Sequence, residues 1–153
     1  MSLFIITILA FLISIVSGQI RLEGCSGWNS GRQICVQGTL YLDGTVAAEV
    51  TTVSHSLLHG CKGGAIAVGV DAAGNALWSA LLEGKTACGK GDIFCRNRAT
   101  KAVVTRVDAE LTPKTVRVDF YYEFNVNTLH GRQLEWLKVI MGLRQTKKER
   151  DSL

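Results

Sequence analysis

The segment from Gln33 to Val53 constrains the fold of this chain more than any other. Ile34, Val36 and Leu40 alternate with Cys35, Gln37, Thr39 and Tyr41, the period of a half-buried strand. Asp43-Gly44 then predicts a type I′ hairpin turn, in which both central residues take positive φ. Val46, Ala48 and Val50 resume the alternation on the far side. A two-stranded ribbon cannot bury its apolar face alone, so later strands must pack on it. The expected fold is mainly β, an antiparallel β-sandwich.

The rest of the chain supplies those strands. Arg21–Arg32 is glycine- and serine-rich without periodicity, a lead-in tied down through Cys25. Ser54–Gly64 is a connection, and Ala65–Val70 is a short apolar run ending at the turn Asp71-Ala72-Ala73-Gly74. Asn75–Gly84 supports two readings. As a helix, Asn75 caps it and Gly84 stops it. As a strand, Leu77, Ser79 and Leu81 alternate with Trp78, Ala80 and Leu82, and a turn directly after a strand favours this second reading.

Farther on, Val103, Thr105, Val107, Ala109 and Leu111 alternate with Ala102, Val104, Arg106, Asp108 and Glu110, and Val116, Val118, Phe120, Tyr122 and Phe124 alternate with Arg117, Asp119, Tyr121 and Glu123. With Pro113 between them, the two arms predict a long antiparallel hairpin with one wet face. Val107, Val118 and Phe120 are expected inward, and Arg117 and Asp119 in solvent. Arg132–Leu143 predicts a short C-terminal helix with Leu134, Leu137 and Met141 on one face; a last strand at Trp136–Met141 is the alternative. Residues 144–153 read as a polar, basic, frayed tail.

Leu3–Val16 is an apolar run without charge, followed by Ser17 and Gly18. This predicts a secretory signal peptide over residues 1–18, cleaved after Val16-Ser17-Gly18 to leave Gln19 first. The run is shorter than the ~20 residues that span a bilayer, which argues against an anchor. Residues 19–143 then form one domain. Every charged residue lies beyond the signal, so the mature net charge remains +4. That balance lacks the dense basic face of a nucleic-acid binder.

Five cysteines, Cys25, Cys35, Cys61, Cys88 and Cys95, are disulfide candidates in a secreted chain. Cys88 and Cys95 flank the sequence GKGDIF, whose two glycines let the chain turn back within bridging distance, and they are expected to pair. Cys25 or Cys35 with Cys61 is the second expected pair. The odd cysteine is either buried and free or available to bridge a dimer.

Two segments resemble the transthyretin-like secreted proteins, which share a prealbumin-like β-sandwich. GTLYLDGTVAAEV (residues 38–50) is similar to that family's opening strand, turn and strand, and VDAAGNALWSALLEG (residues 70–84) to its Thr-Asp-x-x-Gly-x-Phe strand pair. The family's cysteine and proline fall on Leu42 and Val46, and its Thr and Phe on Val70 and Ala76. The resemblance implies a secreted, mostly non-enzymatic binding or carrier role.

Motifs for chemistry are sparse. His55 and His59 are four residues apart with Cys61 beyond, but SHSLLHG offers no further ligand at metal spacing, so no metal site is expected. No Gly-x-Ser-x-Gly elbow is present, and Cys with His130 is a coincidence of inventory, so no catalytic residue is assigned. GKTACGKG (84–91) lacks Gly-Lys-Ser/Thr at the Walker spacing, since Gly91 follows Lys90, and no cofactor is implied. Trp28, Trp78 and Trp136 read as core and rim packing ahead of a ligand pocket. The expectation is a secreted, extracellular binding or carrier module for a protein or a small apolar ligand. The alternatives are a basic effector docking on membranes or microbial surfaces, through WLKVIMGL and the tail, and then a small extracellular hydrolase.

Overall fold

The alternating segment around Asp43-Gly44 forms the centre of a four-stranded antiparallel sheet. The computed structural model describes residues 18–153. The signal-peptide expectation for residues 1–17, including Val16 and Ser17 of the cleavage site, lies outside the described residues. Strands β1 (Ile20–Cys25), β2 (Arg32–Leu40) and β3 (Thr45–Ser54) follow in order along the chain. β2 and β3 pair from Leu40↔Val46 to Arg32↔Ser54, so Ile34, Val36, Val46 and Val50 share the buried face. The turn differs from the expected type I′. Gly44 takes φ +86° while Asp43 stays at negative φ, the Gly44 N–H bonds the Tyr41 carbonyl (3.0 Å), and the Tyr41 N–H bonds the Thr45 carbonyl (2.9 Å). That is a type I turn closed by a glycine bulge, the usual longer solution for a hairpin. The Asp43 carboxylate accepts the Thr45 N–H (2.9 Å), which favours this loop over the two-residue one.

The second sheet is built on β4 (Gly64–Val70), with β5 (Ala76–Glu83) on one side and β7 (Arg117–Glu123) on the other; β6 (Arg98–Arg106) completes the first. Asn75–Gly84 is therefore a strand, entered through a turn at Asp71–Gly74 that repeats the hydrogen-bond pattern of the Tyr41–Gly44 turn. Leu22, Ile34, Val36, Leu40, Val46 and Val50 meet Ala65, Ala67, Trp78, Ala80 and Leu82 between the sheets.

The long hairpin expected over 103–124 does not form. Its first arm pairs with β3, from Thr45↔Arg106 to Val53↔Arg98, and its second pairs with β4, from Val70↔Arg117 to Gly64↔Glu123. The linking segment crosses between sheets through a single 3-10 turn at Thr112–Lys114, seeded by the fixed φ of Pro113. Alternation reports which face a residue uses, and both sheets have an inward face, so it cannot report which strand is the partner. The facing itself is as expected: Val107, Val118 and Phe120 pack on the core, while Arg117 and Asp119 pair in solvent (3.2 Å).

The C-terminal helix is longer than expected. α1 runs Val126–Asp151 and absorbs the segment expected to fray, as well as the alternative strand at Trp136–Met141. The Asn125 side chain caps it, accepting the Asn127 and Thr128 N–H groups (2.9 and 3.3 Å). Leu129, Trp136 and Ile140 lie along its inner face, where Leu129 and Trp136 pack with Ile66, Val68 and Val70 of β4. β4 is thus buried on both faces, which explains its uninterrupted apolar sequence. Leu134 and Met141 point to solvent.

Two disulfides are present. Cys88–Cys95 is as expected, with Cα atoms 5.6 Å apart. The second expected pair is corrected: Cys25 bridges Cys35, its direct cross-strand partner (Cα–Cα 4.1 Å), and Cys61 is the free cysteine. Neither strand could be paired in register from the sequence, because β1 carries no clear alternation. Cys61 is 1% exposed and presents no sulfur for a bridge to another chain without opening.

Candidate functional site

The most distinctive surface is at the loop end of the sandwich, where β3 leads to β4 through residues 55–63 and β5 leads to β6 through residues 84–97. Backbone hydrogen bonds join the two loops. The Cys61 and Ala87 amides and carbonyls exchange bonds (2.7 and 2.9 Å), and Lys90 and Gly91 donate to the carbonyls of Ser56 and Leu57 (2.7 and 3.0 Å). A Cβ at residue 89 would press on the Leu57 carbonyl, so glycine there permits the approach. The Ser56 hydroxyl accepts the His59 N–H (3.1 Å), and Ser54 donates its hydroxyl to the His59 carbonyl. Within the second loop, Cys88–Cys95 closes the base and the Asp92 carboxylate accepts the Phe94 N–H (2.9 Å).

These constraints hold four large apolar side chains in water. Leu57, Leu58, Ile93 and Phe94 are 69%, 88%, 86% and 94% exposed. Trp28, also exposed, stands nearby on the adjoining lead-in with its ring 4.9 Å from that of His55. Single exposed apolar residues are ordinary, but a group on two cross-linked loops marks an interaction surface. Cations surround it. Lys90, Arg96 and Arg98 line a concavity of about 570 Å³ beside Asp92, and Lys85 joins Arg96 and Arg98 along a second of about 380 Å³. Arg32 lies over the Phe124 ring (5.2 Å) and donates to the Gly60 carbonyl (3.5 Å).

The other expected candidates disperse. Trp78 is buried and donates its indole N–H to the Thr115 hydroxyl (2.9 Å), Trp136 packs beside Tyr121, and Trp28 is at the loops, so the three line no common pocket. His55 and His59 are exposed loop residues, and His130 bonds Glu83 (3.0 Å). Among the described residues, no hydroxyl or thiol bonds to a histidine ring. Cys88, Asp92 and Cys95 cluster within 4.8 Å, but the two sulfurs are joined to each other and cannot act as thiolate ligands. Burial pushes the Cys61 thiol up, away from the thiolate a nucleophile needs, and Arg32 only partly opposes this. The loop surface was missed because SHSLLHG and GKGDIF have no periodicity, although two adjacent apolar residues inside a polar, disulfide-flanked loop are a signal in themselves.

No family model, curated protein or solved structure matches this chain. The resemblance to transthyretin-like proteins therefore stands on the two sequence segments alone.

Proposed function

We propose that the protein is a secreted, non-catalytic binding module that docks on anionic lipid surfaces through its loop end. The observation that carries this reading is the pairing of Leu57, Leu58, Ile93 and Phe94, all largely exposed, with Lys62, Lys85, Lys90, Arg96 and Arg98 around them. Apolar side chains that enter the interface and cations that stay with the phosphates are the two contributions that hold a peripheral protein on a membrane. Each cation near an anionic surface contributes about 1 kcal/mol. Asp92 is the one acidic side chain in the cross-linked loops, and its carboxylate is turned to the Phe94 amide. Two disulfides support an oxidising compartment, as does the apolar run at Leu3–Val16. Among the described residues, no helix is long and apolar enough to cross a membrane.

Co-sedimentation with vesicles tests the reading. Wild-type protein is expected to pellet with vesicles of equal parts phosphatidylcholine and phosphatidylglycerol, and to release in high salt as the charges are screened. Ile93→Ser/Phe94→Ser should abolish pelleting, whereas Lys147→Gln/Lys148→Gln on the distant helix end should not. Equal binding by the loop variant, or no binding by wild type, would sink the proposal.

A further inference from the structure

At the opposite end of the sandwich, α1 outruns the sheet that it covers. Its 26 residues extend roughly 39 Å, against roughly 27 Å for the 8 residues of β5. The helix starts at the loop end, where Lys62 bridges Asn125, so the excess projects past the Asp71–Gly74 turn. Between the projecting helix, that turn and the 3-10 crossover lies a cleft of about 510 Å³. This falls within the ~300–1,000 Å³ of small-molecule sites.

The cleft has two chemical halves. Leu77, Leu111, Ile140 and Leu143 supply an apolar floor. The register on β4 steps from Gly69↔Trp78 to Val70↔Ala76, which leaves Leu77 as a bulged residue aimed out of the ladder. Arg144 reaches across and donates to the Leu77 carbonyl (3.5 Å). Lys114, Arg144, Lys147 and Arg150 form the rim, and among the described residues none of these four is in an ion pair. Ile140, Leu143, Arg144 and Lys147 recur at helical spacing, so floor and rim belong to one face of α1. Of the two carboxylates at the cleft, Asp71 is occupied by the Ala73 and Asn75 N–H groups (3.0 and 2.8 Å), and Asp151 ends the helix.

We infer that this cleft binds a single-chain amphiphile with an anionic head, of which a fatty carboxylate is the simplest. The chain lies on the leucine and isoleucine floor, and the head meets Arg144 and Lys147 at the rim. A neutral apolar ligand would leave the unpaired cations without a role, and a bare anion would leave the floor in water. The site is separate from the loop surface and does not depend on the membrane-docking proposal.

Titration calorimetry on the full chain, with dodecanoate below its micelle-forming concentration, decides the matter. Wild type is expected to bind one dodecanoate per chain, and to bind neither inorganic phosphate nor dodecyltrimethylammonium measurably. Arg144→Gln/Lys147→Gln and, separately, Leu143→Glu should each weaken binding about tenfold or more, a difference well within calorimetric reach. All three positions are exposed, so both variants should melt where wild type does. Phe94→Ser, at the other end, should bind dodecanoate as wild type does. No binding by wild type, unchanged affinity in both cleft variants, equal binding of the cationic detergent, or loss in Phe94→Ser would each overturn the assignment.

Discussion

Gly69 and Trp78 face each other across β4 and β5, and the indole ring occupies the space where a Cβ on residue 69 would stand. Trp78 is 4% exposed at the centre of the sandwich, so the ring has no free direction in which to retreat. Gly69→Ala would ordinarily favour a strand, since glycine is costly there. Here it should destabilise by about 1–3 kcal/mol through overpacking. Urea unfolding of the variant gives the sign directly, and a stabilised protein would mean that the indole is not held against the backbone.

The same edge of the indole, the one that lies against Gly69, is anchored by a hydrogen bond. Its N–H donates to the Thr115 hydroxyl, which in turn donates to the Leu111 carbonyl (2.9 Å). This chain fixes the crossover between the two sheets. Thr115→Val keeps the shape of the side chain and leaves the buried indole N–H without an acceptor, a loss of about 1–3 kcal/mol. Thr115→Ser restores the acceptor and should recover most of that stability. A Val variant as stable as wild type would show that the bond contributes nothing.

Cys61 offers a probe of opening. It is buried beside Ala87, and its thiol is pushed up by desolvation. An aromatic disulfide reagent should leave the native protein unlabelled and titrate one thiol per chain in denaturant without reductant. Rapid labelling of the native state would contradict the burial, and more than one thiol would contradict the two bridges.

Stability should fall in acid through the two hairpin turns. Hydrogen bonds from the Thr45 amide hold the Asp43 carboxyl below the usual carboxylate range, and those from Asn75 do the same for Asp71. A carboxyl depressed in the folded state adds stability above the unfolded value of about 3.9, and loses it as pH falls through the folded value. Asp43→Asn/Asp71→Asn retains an acceptor oxygen at each turn but removes both titrations. Urea midpoints from about pH 5 down to about pH 2 should therefore fall less steeply for the variant than for wild type. Parallel curves would mean that the turns do not prefer the charged form.

Much of this fold is legible in the sequence wherever a strand has one wet face. The β2–β3 hairpin, the inward set at Val107, Val118 and Phe120, and the strand at Asn75–Gly84 all follow from alternation and turn residues. Partner choice is not legible, because β6 and β7 alternate alike and yet join different sheets. The helix was legible only in its middle, over Arg132–Leu143; Val126–Gly131 precedes that stretch, and Arg144 to Asp151 is polar and continues by helix propensity with Lys148 and Arg150 suited to its negative end. How the loop surface and the cleft are assembled was not legible, for a plainer reason. Each is assembled from segments far apart in sequence, Leu58 with Phe94 in one and Leu111 with Arg144 in the other, and no local pattern encodes that meeting.

The two disulfides allow stability and docking to be separated. Cys25–Cys35 ties strands already paired in register, whereas Cys88–Cys95 closes the loop that carries Ile93 and Phe94. The bridged residues are 10 and 7 positions apart, so loop entropy gives both bridges a similar contribution of about 2–3 kcal/mol. Cys25→Ser/Cys35→Ser and Cys88→Ser/Cys95→Ser should accordingly lose comparable stability in urea. Their binding should diverge. Without Cys88–Cys95 the second loop is free to fold its apolar residues onto the sandwich or to splay, and capture by phosphatidylglycerol-containing vesicles should fall to the level of Ile93→Ser/Phe94→Ser. Without Cys25–Cys35 the loop that carries Ile93 and Phe94 keeps its own bridge, and capture should persist. Equal vesicle binding by the two variants would show that the bridge at the loop end serves stability alone.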